Sequence, residues 1–131
     1  MKGKGTTTPT RVMLVDDHYE FRMLMETLLS GHSDLEVVAQ AGSLAEARGR
    51  AAMSAFDVAI LDIGLPDGKG TDLIAPLREI NEAAAMLVMS NIVNPDIIEQ
   101  AMHSGADEVL DKFVPLEEIV AAVRRLGGSV S

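Results

Sequence analysis

Cysteine is absent from the 131 residues, which excludes a disulfide framework, a thiol nucleophile and a thiolate metal site. Tryptophan is absent too, and the aromatics are one Tyr and three Phe. A flavin carrier needs stacking rings and phosphate-binding Ser, Thr or Gly after its first strand, so this composition argues against one. Positive charge is in deficit, with 11 basic against 20 acidic side chains and a formal net charge of −9. A phosphate backbone would be repelled, so no direct nucleic acid contact by this segment is expected. Long apolar runs are missing as well. Nothing approaches bilayer length and no signal-peptide core begins the chain, so the expectation is a cytoplasmic domain with no membrane partner.

What is present is enough for one folded domain. Hydrophobic residues make 47% of the chain, which is a composition that buries a core. The eight methionines fall mostly at apolar-pattern positions and are read as core filling.

One stretch organises the rest. From Phe56 to Gly70 the chain reads FDVAILDIGLPDGKG. Val58, Ala59, Ile60 and Leu61 form an unalternating apolar run, as expected of a central parallel strand covered on both faces. The run ends on Asp62, and turn formers follow at Gly64, Pro66, Asp67, Gly68 and Gly70. Open α/β sheets place their ligands at the carboxyl ends of such strands.

The remaining elements alternate around it. Residues 1–10 read as a flexible leader. Val12 to Val15 form the first strand, ending on Asp16 and Asp17. Helix one follows from about His18 to Ser30, with Phe21, Leu24, Met25, Leu28 and Leu29 on one face. Leu35 to Ala41 is a second strand near an edge. Ser43 and Glu46 then form a capping-box pattern for an Ala-rich helix two that runs to about Met53. Helix three is expected from about Thr71 to Ile80, presenting Leu73, Ile74, Leu77 and Ile80, with Pro76 set to end, bend or shift it. Met86 to Met89 is strand four, ending at Ser90. Helix four begins near Pro95 and turns Ile97, Ile98, Ala101 and Met102 inward. Glu108 to Leu110 is a short strand five leading to Asp111 and Lys112. Helix five carries Leu116, Ile119, Val120, Val123 and Leu126, and residues 127–131 form a tail or the start of a linker.

Five β-α units in this order predict an α/β fold, a single (βα)5 domain over residues 11–126 with a doubly wound parallel five-stranded sheet. The strand ends then meet at one rim, bringing Asp16, Asp17, Asp62, Ser90 and Lys112 together. Carboxylates so close need a cation. An all-oxygen set suits a hard ion, and Mg²⁺ shares its shell readily with a phosphoryl group. Lys112 offers a point charge and Ser90 a hydroxyl to phosphoryl oxygens, while Asp62 can itself serve as nucleophile. His18 is expected as a partly exposed first-turn residue, His32 and His103 as surface residues, and Asp67 as a turn former. Glu117 and Glu118 suit the first turn of helix five without further function.

These residues match a family. VDDH after the first strand, LDxxLPDxxG around Asp62, a strand-end Ser90 and a lysine after GADEVL resemble the receiver domain of two-component response regulators, most closely the NarL/LuxR-type group. Asp17 to Asp62, Asp62 to Ser90 and Ser90 to Lys112 are separated by 45, 28 and 22 positions, and these separations fit too. The resemblance implies the flavodoxin-like strand order 2-1-3-4-5, with Asp62 as phospho-acceptor. It implies Mg²⁺, with Mn²⁺ as a substitute, on Asp16, Asp17, Asp62 and the Gly64 backbone carbonyl. Ser90 and Lys112 would then engage the phosphoryl group. A sensor histidine kinase or a small acyl phosphate would be the donor, and helix four, strand five and helix five a homodimer face. The chain is thus expected to be no turnover enzyme, acting through an output domain, as a stand-alone receiver, or as a degenerate interaction module. A phosphatase using Asp62 would favour an acid where Gly64 stands. The sequence departs from the family at Phe113, where many receivers carry a cis proline, and at Val109, where an aromatic is usual. A cis Lys112–Phe113 bond would cost roughly 3–4 kcal/mol.

Overall fold

The computed structural model describes residues 8–128. Most of the expected leader and tail, residues 1–7 and 129–131, lies outside the described residues. Five parallel strands form the main sheet: β1 (Thr10–Val15), β2 (Leu35–Ala41), β3 (Val58–Asp62), β6 (Ala85–Ser90) and β7 (Glu108–Asp111). Their order is β2-β1-β3-β6-β7, which is 2-1-3-4-5 when these five are counted alone. A small antiparallel pair, β4 (Gly64–Leu65) and β5 (Gly68–Lys69), follows β3. It was not expected from the run of turn formers. The helices are α1 (Tyr19–Ser30), α2 (Leu44–Met53), α3 (Ile74–Ile80), α4 (Pro95–His103) and α5 (Leu116–Gly127).

The central strands lack alternation because both of their faces are covered. Val12 and Leu14 of β1 and Val58 and Ile60 of β3 pack with Met25, Leu29, Ile119 and Val123 from α1 and α5. Met13, Val15, Ala59 and Leu61 pack on the other side with Ala47, Ala51, Ile74, Leu77 and Ala101 from α2, α3 and α4. Each residue of the run therefore meets an apolar layer whichever way it points.

Local signals set the helix starts. The Ser43 hydroxyl accepts the Glu46 N–H at 3.1 Å. The Glu46 carboxylate accepts the Gly42 N–H at 2.8 Å, one residue before the position of the standard box. Asn94 caps α4 by accepting the Ile97 N–H at 2.9 Å, with Pro95 in the first turn. Helix three differs from expectation. A 3-10 turn spans Gly70–Leu73 and the α-helix starts at Ile74. That shift puts Pro76 in the first turn, where a missing N–H forfeits no intrahelical bond.

Several residues assigned inward by helical spacing are exposed: Leu24, Ile80, Ile98, Met102 and Leu116. A helix lying on a sheet touches it over a narrow arc, so the apolar stripe is wider than the buried one. The methionines divide in the same way. Met13, Met25, Met86 and Met89 are fully buried, whereas Met23, Met53 and Met102 face solvent. Among the described residues no helix is long and apolar enough to cross a membrane.

Candidate functional site

β1 and β3 are neighbours whose chains leave for opposite faces of the sheet, so their carboxyl ends form the crevice of the doubly wound fold. Val15 pairs with Leu61, which brings Asp16 and Asp62 side by side. These are the buried carboxylates of the described chain, 4% and 7% exposed. The next turn is held tightly against them. The Gly70 N–H donates to the Ile63 carbonyl at 2.8 Å, and a Cβ at Gly70 would fall well inside contact distance of the Asp62 carbonyl oxygen. Only glycine permits that approach.

Lys112 arrives from the far edge of the sheet. Its N–H bonds to the Ser90 carbonyl at 2.9 Å, which aligns the ends of β6 and β7. Its Nζ donates to Asp16 Oδ2 at 2.6 Å and lies 3.2 Å from Asp62 Oδ1. Just 7% of the lysine side chain is exposed. The Phe21 ring closes the other side, its centroid 4.7 Å from Nζ.

Burial pushes the Asp62 carboxyl above the usual carboxylate range, and the neighbouring Asp16 charge pushes the same way. The charge and hydrogen bond of Lys112 and the Gly64 backbone N–H oppose the shift. A proton or a cation relieves such a site.

Asp17 stands at the mouth, with 37% of its side chain exposed. His18 is the N-cap residue of α1. Its N–H donates to Asp16 Oδ1 at 2.8 Å, and its Nδ1 lies 3.1 Å from Asp16 Oδ1 and 3.3 Å from Asp17 Oδ1. His18 is thus exposed and precedes the first turn in which it is expected, and its imidazole stands beside the acids. One ligand atom each from Asp16, Asp17, His18 and Asp62 falls within 4.8 Å of the others. A carboxylate-dominated set of this kind fits a hard divalent cation.

The other expected site residues lie on the same rim in differing roles. Gly64 opens β4, directly beyond the end of β3. Ser90 ends β6, with its hydroxyl turned into its own loop, donating to the Ile92 carbonyl at 2.8 Å and accepting the Ile92 N–H at 3.2 Å. No cis peptide occurs among the described residues, so Lys112–Phe113 is trans and carries no such cost. The turn is held instead by Asp111, whose carboxylate accepts the Phe113 N–H at 2.7 Å.

Three contributors escaped the sequence reading. Phe21 stands over Lys112, although its spacing marked it only as core. Arg22 donates from Nη1 to the Asp16 carbonyl at 2.6 Å. Asp67, expected as a turn former, accepts the Leu44 and Ala45 N–H groups at 2.8 and 3.2 Å and so caps α2. No local pattern marks a cap supplied from across the fold.

The family model described as the response regulator receiver domain matches residues 12–124. The chain belongs to this family. The receiver is 34% identical over 121 residues to the DNA-binding transcriptional activator DevR/DosR of Mycobacterium tuberculosis, covering 92% of this chain and 56% of that protein. It therefore spans about half the length of the curated relatives it matches. Among solved structures, the signal receiver domain of NarL from Mycobacterium tuberculosis superposes with a TM-score of 0.86 at 31% identity, covering 92% of this receiver and 98% of that chain. A Burkholderia pseudomallei response regulator, solved with a phosphorylated aspartic acid, a calcium ion and citrate, has a TM-score of 0.73 at 28% identity, covering 92% and 70%. The similarities place the receiver with the NarL/LuxR-type regulators.

Proposed function

We propose that this receiver is a phosphorylation switch in which Asp62 takes a phosphoryl group from a sensor histidine kinase or a small acyl phosphate. The observation that carries the reading is the buried Lys112 ammonium held between Asp16 and Asp62 at the carboxyl rim of the sheet. An Asp62 Oδ attacks phosphorus while the bond to the donor nitrogen, or to the acyl oxygen, breaks. The leaving group keeps the electron pair; the imidazole nitrogen takes up a proton, whereas the carboxylate of an acyl phosphate leaves as the anion. The phosphorylated aspartic acid of the Burkholderia pseudomallei protein supports the chemistry.

Asp16, Asp17, Asp62 and the Gly64 carbonyl would hold Mg²⁺, or Mn²⁺ in its place. The ion, when bound, supplies charge neutralisation to the phosphoryl oxygens. Lys112 is already beside Asp62 and has only to shift its contact from carboxylate to phosphoryl oxygen. Ser90 must give up its bonds to Ile92 to reach the same group. That exchange would transmit occupancy of the site to the loop before α4.

The output would be transcriptional, in keeping with the DNA-binding transcriptional activator DevR/DosR, of which this receiver covers 56%. The face formed by α4, β7 and α5 would pair two copies in the phosphorylated state. Exposed Ile98, Met102 and Leu116 provide its apolar contacts.

Intact-protein mass after incubation with acetyl phosphate and Mg²⁺ tests the central claim. Wild type gains one phosphoryl group only when the ion is present, and Asp62→Asn gains none. No gain in wild type with either acetyl phosphate or a phosphorylated kinase would sink the reading and leave a degenerate interaction module.

A further inference from the structure

The chain has only three phenylalanines, and the ring of Phe21 stands against the one ammonium in the site. Lys112 Nζ lies 2.6 Å from Asp16 Oδ2, 3.2 Å from Asp62 Oδ1 and 4.7 Å from the centre of that ring. An ammonium carries three N–H donors. One is donated to Asp16 and the Asp62 carboxylate lies close on a second side, and with 7% of the side chain exposed water has little access to the remaining side. The electron-rich ring face occupies it. Phe21 also walls a cavity of about 10 Å³ with Asp16, Arg22, Met25 and Asp62, a volume at the lower limit for one water.

We propose that Phe21 is a positioning residue of the acceptor site: its ring face seats the Lys112 ammonium between Asp16 and Asp62 and keeps water out of the space behind Asp62. The inference rests on the reading of Asp62 as the phosphoryl acceptor. A Leu or Met side chain fills the space and keeps the apolar contacts of α1. It has no negative face to hold a cation, so the ammonium gains freedom and the pocket behind Asp62 opens to water. A ring that served only as packing would be replaceable by either residue without loss. That difference separates the two roles.

The test compares wild type with Phe21→Leu, Phe21→Met and Phe21→Tyr in two measurements. The first is the rate of phosphoryl gain from acetyl phosphate and Mg²⁺, followed by intact mass. The second is the proton shift of the Lys112 Cε methylene in ¹H–¹³C NMR, with thermal melts as a control on folding. In wild type and Phe21→Tyr that methylene is displaced by the ring current and the rates agree within about twofold. In the Leu and Met variants the displacement disappears and the rate falls about five- to tenfold, a factor of ten being about 1.4 kcal/mol in the barrier. Wild-type rates in the folded Leu or Met variant would overturn the proposal, as would a Lys112 shift that ignores the ring. Should Phe21→Leu melt below the assay temperature, Phe21→Met decides. If wild type itself takes no phosphoryl group, the acceptor reading fails. The Lys112 shift then still decides whether the ring seats the ammonium.

Discussion

Three aspartates, Asp16, Asp17 and Asp62, crowd a rim where Lys112 is the buried cation. The imbalance destabilises the rim, and a divalent ion bound there would offset it. Replacing Asp62 by Asn removes a desolvated charge and leaves the Lys112–Asp16 pair intact. In the absence of divalent ions we expect Asp62→Asn to melt higher than wild type by a few degrees, about 1 kcal/mol. Saturating Mg²⁺ should narrow or reverse the gap, since an ion at about 100 times its Kd adds about 2.7 kcal/mol to whichever protein binds it. Thermal melts with and without EDTA check both points, and equal melts without metal would contradict the charge argument. At the other end of the sheet Asp57 behaves oppositely. It accepts the Arg11 N–H at 2.8 Å and the guanidinium at 3.1 and 2.9 Å, and these bonds hold its carboxyl below the usual range. The unfolded state then binds the proton more readily. Asp57 therefore contributes stability above about pH 4, and the contribution is lost as pH falls through its depressed native value. Asp57→Asn should cost about 1 kcal/mol at neutral pH, discounted for partial exposure. The gap from wild type should close in melts taken below about pH 4.

The short hairpin of β4 and β5 and the 3-10 turn behind it tie the end of β3 to its surroundings. Gly70 touches the Asp62 backbone, so Gly70→Ala must push the end of β3 or the turn aside. We expect a loss of at least about 2–3 kcal/mol and slower phosphoryl gain at Asp62; a fully stable Gly70→Ala protein would refute the contact. Asp67 reaches from the same segment to the first N–H groups of α2. Its replacement by Ala should weaken the start of α2 and speed hydrogen exchange at Leu44 and Ala45. Unchanged exchange at those amides would show that the cap carries no weight. The turn chemistry of Gly64 to Gly70 was readable from sequence because glycine and proline act locally. The partner of Asp67 was not, because it depends on how α2 lies over the sheet. Helix spacing likewise announced apolar stripes, yet Leu24, Ile98 and Met102 face solvent, since only the packing angle decides how much of a stripe the sheet covers.

Across the whole molecule, the rim proposed to accept the phosphoryl group and the apolar face of α4 are joined through the loop after Ser90, where the hydroxyl bonds Ile92. Phosphorylation should therefore raise the dimer population seen by light scattering. Ile98→Glu should abolish that rise while the phosphoryl mass gain persists; dimerisation of the phosphorylated Ile98→Glu protein would move the interface elsewhere. The five-fold β-α alternation, the strand-end positions of Asp16, Asp62, Ser90 and Lys112, and their convergence were determined by the sequence alone. Apolar runs specify strands buried on both faces, and right-handed crossovers put the carboxyl ends of parallel strands on one edge. Tertiary structure alone decided that Lys112 bonds Asp16 more closely than Asp62, that Ser90 faces its own loop, that Lys112–Phe113 is trans, and that Phe21 covers the ammonium. Those outcomes depend on side-chain directions and distances between elements far apart in the chain. A pattern of neighbours along the sequence contains no such distances.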